Sequence, residues 1–274
     1  MLDNRRFRLL SEVRALFSTT YYTLRIHYSY LPNIAWLLLL PVMYAFIGTV
    51  MSALVDPSAV VPMERGPVTF LQFLLPGMVV WLFSSASMGL VGSVEAEIVW
   101  GTVQSAFSSP TRPTTFLLGL LLSAFLPSLL VTMVVIGYMA LLLGGVTLTP
   151  AIVPFLLGIG VYTGIGMLMS AVALRYRRAG NLVMLWTFVE QFLAGVIVPI
   201  AVIPMPIRLV SYLMPTTWVI DLVRAGLLGT ATILPYTTQL SLLAGLAVLM
   251  LLLGSLAVNR ALHRVAELGI GDIY

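Results

Sequence analysis

Val68-Thr-Phe-Leu-Gln-Phe-Leu-Leu-Pro-Gly-Met-Val-Val-Trp-Leu-Phe-Ser-Ser-Ala-Ser-Met-Gly-Leu-Val91 is the stretch that decides how this chain folds. It contains no charged side chain. At about 1.5 Å per helical residue it is longer than the ~30 Å hydrocarbon core of a bilayer. Backbone placed in lipid must close its own hydrogen bonds, so the stretch reads as a spanning α-helix. Working outward, comparable runs lie at Pro32–Leu54 before it and at Thr114–Leu143, Pro150–Leu174, Asn181–Ile203 and Leu234–Val258 after it. The expected fold is therefore an all-α membrane protein with six transmembrane helices in one domain over residues 1–274. Residues 1–30 form an interfacial segment, 31–258 the bundle and 259–274 a cytoplasmic tail.

Composition agrees with this reading and removes several chemistries. Hydrophobic residues make up 60% of the chain and charged residues 9%, against about 25% charged in an average soluble domain. The mean hydropathy is +1.05. The sequence has no lysine and no cysteine, which excludes a phosphate-loop lysine, a Schiff base, a thiolate nucleophile, a disulfide and a sulfur-ligated metal. The first thirty residues lack the apolar core of a cleavable signal peptide, so the amino terminus is expected to stay in the cytoplasm.

The arginines set the orientation. With the amino terminus inside, Arg5, Arg6, Arg8, Arg14, Arg25, Arg112, Arg175, Arg177, Arg178, Arg260 and Arg264 fall in the cytoplasm, and Arg65, Arg208 and Arg224 outside. That bias predicts both termini inside, in a multi-pass protein of the cell membrane. Because the arginines flank apolar spans, the pI near 9.6 points to anionic lipid headgroups and not to nucleic acid.

Several segments stand apart from the plain spans. Leu9, Leu10, Val13, Leu16, Phe17, Tyr21 and Leu24 recur at a helical period, with Ser11, Arg14, Ser18 and Arg25 opposite, which predicts an amphipathic helix at the membrane interface. Pro199, Pro204, Pro206 and Pro215 break the stretch before the last span, which predicts short helices forming a re-entrant hairpin in the outer leaflet. Gly160 and Gly164 are a small-residue pair suited to close helix approach. Trp36, Trp81, Trp100 and Trp218 suggest an aromatic belt.

Among intramembrane polar residues, Glu190 and the adjoining Gln191 are candidates for a translocation path or a subunit interface, with a hydrogen-bonded structural role as the alternative. A carboxylate at that depth costs roughly 2.5–3.5 kcal/mol and must face protein, water or a cation. Asp221 and Arg224, one helical turn apart, are expected to pair. His27 and His263 have no accompanying carboxylates, so no metal site is expected.

The cytoplasmic connection between the second and third spans still shows helical spacing in Val99, Val103, Ala106 and Phe107. Apolar residues on a short exposed helix call for a protein groove. Glu95 and Glu97, then Gly101-Thr102, then Ser109-Pro110 and Arg112 resemble the coupling segment of type 2 ABC transporter permeases. Arg175-Tyr176-Arg177-Arg178, Met205-Pro206, Tyr212, Pro215, Thr216, Asp221 and Arg224 resemble that family's carboxy-terminal signature. The sequence departs from the family at Val103-Gln104-Ser105-Ala106-Phe107, where a leucine-rich acidic stretch is common. It also has only Val55–Pro67 where some relatives insert an outer domain.

The resemblance implies a permease subunit of an ATP-driven exporter, paired with a second permease copy and with separate ABC ATPase subunits that bind ATP and Mg. The chain itself would hold no cofactor and catalyse nothing. It implies an ATPase-coupling set of Glu95, Glu97, Val99, Gly101, Thr102, Val103, Phe107 and Pro110, and a re-entrant hairpin containing Pro206, Tyr212, Pro215, Asp221 and Arg224. The implied cargo is an amphipathic drug-like natural product, lipid or lipid-linked glycan, moving between two copies along the first, second and fifth spans. The rival reading, a secondary transporter driven by an ion gradient, needs ionisable groups near the midplane of several helices. A membrane-embedded enzyme would need convergent catalytic groups.

Overall fold

The computed structural model of the protein describes residues 2–54, 70–100, 111–143, 147–176 and 178–267, and the regular structure among them is helical throughout. In chain order the long helices are α1 (Leu2–Tyr28), α2 (Leu31–Leu54), α3 (Phe70–Val99), α4 (Pro113–Leu143) and α5 (Thr149–Tyr176). They are followed by α6 (Gly180–Leu193), a 3-10 turn (Ile200–Val202), α7 (Met205–Leu213), α8 (Pro215–Leu228) and α9 (Tyr236–Glu267).

Among the described residues, five helices are long and apolar enough to cross a membrane: α2, α3, α4, α5 and α9. The sixth expected span, Asn181–Ile203, is helical only as far as Leu193. Its helix α6 has 14 residues, about 21 Å of rise, short of a ~30 Å core. The break has a local cause. Gly195 adopts φ 83°, a conformation that costs glycine little, and Pro199 is extended at φ −59°, ψ 134°. Apolar content alone suggested a continuous span; backbone chemistry ends the helix early.

The expected pair of short helices is present as α7 and α8. Proline lies at the start of each, where its missing N–H leaves no helical bond unmade. Met214, extended at φ −79°, ψ 124°, forms the corner between them.

Helix α5 is the packing centre, in contact with α9, α3 and α8. The α5–α9 contact depends on Gly164: a Cβ there would lie 2.3 Å from the Met250 carbonyl carbon, and one at Gly254 would lie 2.5 Å from the Gly164 oxygen. Only hydrogen fits between these backbones. Gly160, the other member of the pair noted in the sequence, is less constrained, since a Cβ there meets Ala247 Cβ at 3.5 Å.

Helix α1 packs along α4. The buried hydroxyl of Thr20 donates to Gly119 O at 3.1 Å, while Leu10, Val13, Phe17 and Tyr21 stay exposed. The threonine face thus holds the helix to the bundle; those four residues of the apolar stripe read from the sequence point away from it, while Leu16 and Leu24 of the same stripe are half-buried. Trp81 does not belong to a belt. It lies near the middle of α3, half-buried, with its indole nitrogen enclosed and without a hydrogen-bond partner among the described residues.

Gly164→Ala is expected to destabilise the fold by roughly 1–3 kcal/mol through overpacking against backbone, whereas Gly160→Ala should be neutral or slightly stabilising. Thermal denaturation of the purified variants in detergent checks the contrast.

Candidate functional site

The charged and polar residues singled out above converge on the seam between α3 and the α6–α8 segment, at three depths. At the carboxy-terminal end of α3, the Glu95 carboxylate accepts the backbone N–H of Gly180 at 3.1 Å and that of Ala179. These are the first amides of α6, whose own N-cap residue, Ala179, supplies no side-chain bond. A carboxylate satisfies such free donors and complements the positive end of the helix dipole. Glu95 therefore caps α6 from a different helix.

At mid-depth, Glu190 of α6 is fully buried. The Ser84 hydroxyl of α3 donates to it, lying 2.6 and 2.7 Å from its two oxygens. The Thr216 hydroxyl, at the start of α8, donates to the same carboxylate. The cost of placing this group at depth is met by protein donors. In the single chain the carboxylate faces neither an open path nor an exposed surface. Within one chain the carboxylate ties three helices together, the hydrogen-bonded arrangement given above as the alternative to a translocation-path or subunit-interface role. Gln191, the next residue, is half-buried and is turned by about 100° on the helix.

Near the amino-terminal end of α3, the buried guanidinium of Arg224 lies 3.9 Å from the centroid of the Phe73 ring. It donates to Phe73 O, at 3.1 Å from Nε and 2.8 Å from Nη2, and to Gly195 O at 3.1 Å. The Gly195 carbonyl lies beyond the end of α6 at Leu193, and the Phe73 carbonyl lies within α3, three residues before Pro76. The guanidinium supplies a donor to the carbonyl outside the helical ladder and a further bond to the one within α3.

Asp221 does not serve as its bonded partner. Asp221 instead accepts from Ile233 N and Gln239 Nε2, each at 2.9 Å, and so ties α8 to the start of α9. The two groups, expected to pair from their spacing, attract each other coulombically, while each makes its hydrogen bonds to backbone or amide groups. Tyr212 contributes its carbonyl, accepting Trp218 Nε1 at 2.8 Å across the α7–α8 corner. Pro206 and Pro215 start those two helices.

The α3 positions of the three ties are 73, 84 and 95. Eleven residues are close to three turns, so the three positions fall within about 20° per step on one face. Ser84 and the Phe73 carbonyl gave no signal in the sequence.

The segment expected to couple to an ATPase leaves from the carboxy-terminal end of this same helix. Val99 is 81% exposed and Trp100 70% exposed, and Glu97 is half-buried. Gly101, Thr102, Val103, Phe107 and Pro110 lie outside the described residues. Where the chain returns, the carboxylate of Glu12 on α1 accepts Arg112 N at 3.1 Å and the Thr115 hydroxyl, capping α4 from another helix. Sequence reasoning overlooked Glu12; its place among the polar residues of an amphipathic helix made it one of many solvated charges.

The family model described as ABC-2 type transporter matches residues 23–228. The chain belongs to that family, and the match contains all three ties on α3. No curated protein matches the chain.

Glu190→Leu should cost roughly 1–3 kcal/mol, because the Ser84 and Thr216 hydroxyls are left buried without their acceptor. Glu190→Gln keeps an acceptor and should cost less. Thermal midpoints of the two variants read the difference, and equal midpoints for Glu190→Leu and the parent would remove the tie.

Proposed function

From its membership of the ABC-2 type transporter family, we propose that this chain is the permease subunit of an ATP-driven exporter of the cell membrane, moving an amphipathic molecule with energy from separate ABC ATPase subunits. The carrying observation is the cytoplasmic end of α3, where exposed Val99 and Trp100 lead into the segment resembling an ATPase-coupling helix. Exposed apolar residues of this kind bury themselves in a partner. ATP would close the ATPase subunits, which push on residues 95–107.

The ties at 73, 84 and 95 make α3 and α6 move together under that push. Glu95 carries the motion to the first turn of α6, Glu190 at mid-depth, and Arg224 to the break after α6. Glu12 holds the returning strand of the coupling segment to α1. The permease moves helices and performs no chemistry of its own.

In this reading α6, with the chain that follows it, makes the sixth crossing, α7 and α8 dip into the outer leaflet, and α1 lies at the inner interface. A second permease copy covers the exposed apolar faces of α2 and α6, which include Leu38, Leu39, Val42, Met184, Leu185 and Phe188. The arginine bias supports both termini inside. The absence of cysteine makes single-cysteine labelling clean: Thr237→Cys should react with an impermeant thiol reagent from outside, and Ser18→Cys only after the membrane is opened. The reverse pattern overturns the orientation.

The ATPase contact is tested by co-purification. Replacing Val99, Val103 and Phe107 together by alanine should weaken capture of the partner ATPase by about 30-fold or more, the loss of an anchor contributing about 2 kcal/mol, while leaving the thermal midpoint unchanged. Full capture and transport by this variant would overturn the coupling assignment. Glu95→Arg is a poorer probe of docking, because it also uncaps α6.

A further inference from the structure

A cavity of about 460 Å³ lies between the carboxy-terminal end of α1 and helices α2, α3 and α4. We propose that it binds one neutral amphiphile, drawn from the cytoplasmic leaflet, with its hydrogen-bonding head at the α1–α2 junction and its apolar tail toward the bundle centre. The volume is in the range of about 300–1,000 Å³ typical of small-molecule sites. Along α3 the lining extends from Ser93 to Leu82, about 16 Å at 1.5 Å per residue. That is close to half of a ~30 Å hydrocarbon core, the depth of a single leaflet.

Polarity changes along this length as an amphiphile requires. The shallow end is formed by Thr23, His27, Asn33 and Ser93, and the deep end by Leu40, Leu82 and Val131. Asn33 Nδ2 donates to His27 O at 2.6 Å, which fixes the shallow wall. Between the ends, the Ser123 and Ser128 hydroxyls donate to carbonyls of their own helix at 2.6 and 3.1 Å, leaving their lone pairs as acceptors. Pro127, also in the lining, removes the N–H that the Ser123 carbonyl would accept in an unbroken helix. The walls thus offer acceptors to a donor such as a hydroxyl or amide N–H.

No arginine or carboxylate is among the described lining residues. A charged head would be desolvated there without a counter-charge, which selects a neutral one. The assignment of the leaflet rests on the orientation proposed above; the site itself is a matter of the cavity alone.

Gly89 provides the test. It lines the cavity, and a Cβ added there meets nothing within 4 Å. Gly89→Leu therefore fills the space without a backbone clash, and leucine is the better helix former. Ser128→Leu fills it from the opposite wall. Gly245→Leu, on an exposed position of α9 where a Cβ also meets nothing, is the control.

The probe is a photoreactive diazirine analogue of hexadecanol, added to the protein in phospholipid vesicles, with labelled peptides mapped by mass spectrometry. In the parent, labelling should concentrate in residues 23–40, 82–93 and 123–131 and be competed by excess unlabelled hexadecanol. Gly89→Leu and Ser128→Leu should lower it at least ten-fold, with Gly245→Leu unchanged. Labelling that is not competed, or that survives both filling variants, overturns the proposal. The measurement needs no ATPase. Failure of the chain to couple to one would count against the exporter reading and leave the labelling result standing.

Discussion

An interrupted helix in a membrane leaves backbone groups without partners, and this constraint organises the packing of α6 and α8 against the amino-terminal half of α3. Lipid offers no donors or acceptors, so each freed carbonyl must be met from within the fold. Here α6 ends after Leu193, and one side chain, Arg224, bonds the Gly195 carbonyl beyond that end together with the Phe73 carbonyl of α3. The face of Phe73 beneath the guanidinium adds a cation–π contact and excludes solvent. Arginine suits this position because it presents several donors in a fixed planar array and stays charged when buried, whereas a single ammonium could not address two separated carbonyls with the same geometry.

The same logic repeats along α3. Glu95 meets free amides, Glu190 meets two hydroxyls, and Arg224 meets two backbone carbonyls. In each case the direct bonding partners are oriented dipoles, and at Arg224 the nearby Asp221 carboxylate adds a coulombic attraction. Such ties are directional, and breaking one strands a charge, so the seam between α3 and α6 resists sliding more than an apolar seam would. The α5–α9 contact through Gly164 and Gly254 is of the other kind, close backbone packing without charges. The bundle combines one polar seam, between α3 and α6, with one tightly packed seam, between α5 and α9.

Much of this was legible beforehand, for identifiable reasons. Long uncharged runs and arginine bias are local properties, so the spans α2, α3, α4, α5 and α9 follow directly from the residues. The prolines marked where α7 and α8 begin. Glu190, Asp221 and Arg224 could be singled out because charge inside an apolar run is conspicuous. Their partners could not. Ser84 is one of several serines in its helix, and Phe73 and Gly195 act through carbonyls that every residue possesses. Asp221 and Arg224 were expected to pair because spacing along one helix is visible in sequence, while the freed backbone groups that compete for them are produced by tertiary structure. The length of α6 was overestimated for a similar reason: hydropathy records solvent preference, and the left-handed Gly195 that ends the helix registers only in backbone geometry.

The central claim is that α3 and α6 move as one body when the permease is driven. Spin labels at Gly92→Cys on α3 and Asn181→Cys on α6, both exposed positions, allow it to be measured in the assembled transporter, with labelled protomers diluted among unlabelled ones. Pulsed dipolar spectroscopy before and after ATP binding should give the same distance distribution, although the helices move relative to the membrane. A shift approaching one helical turn, about 5 Å, would show that the two helices slide past each other and would contradict the account.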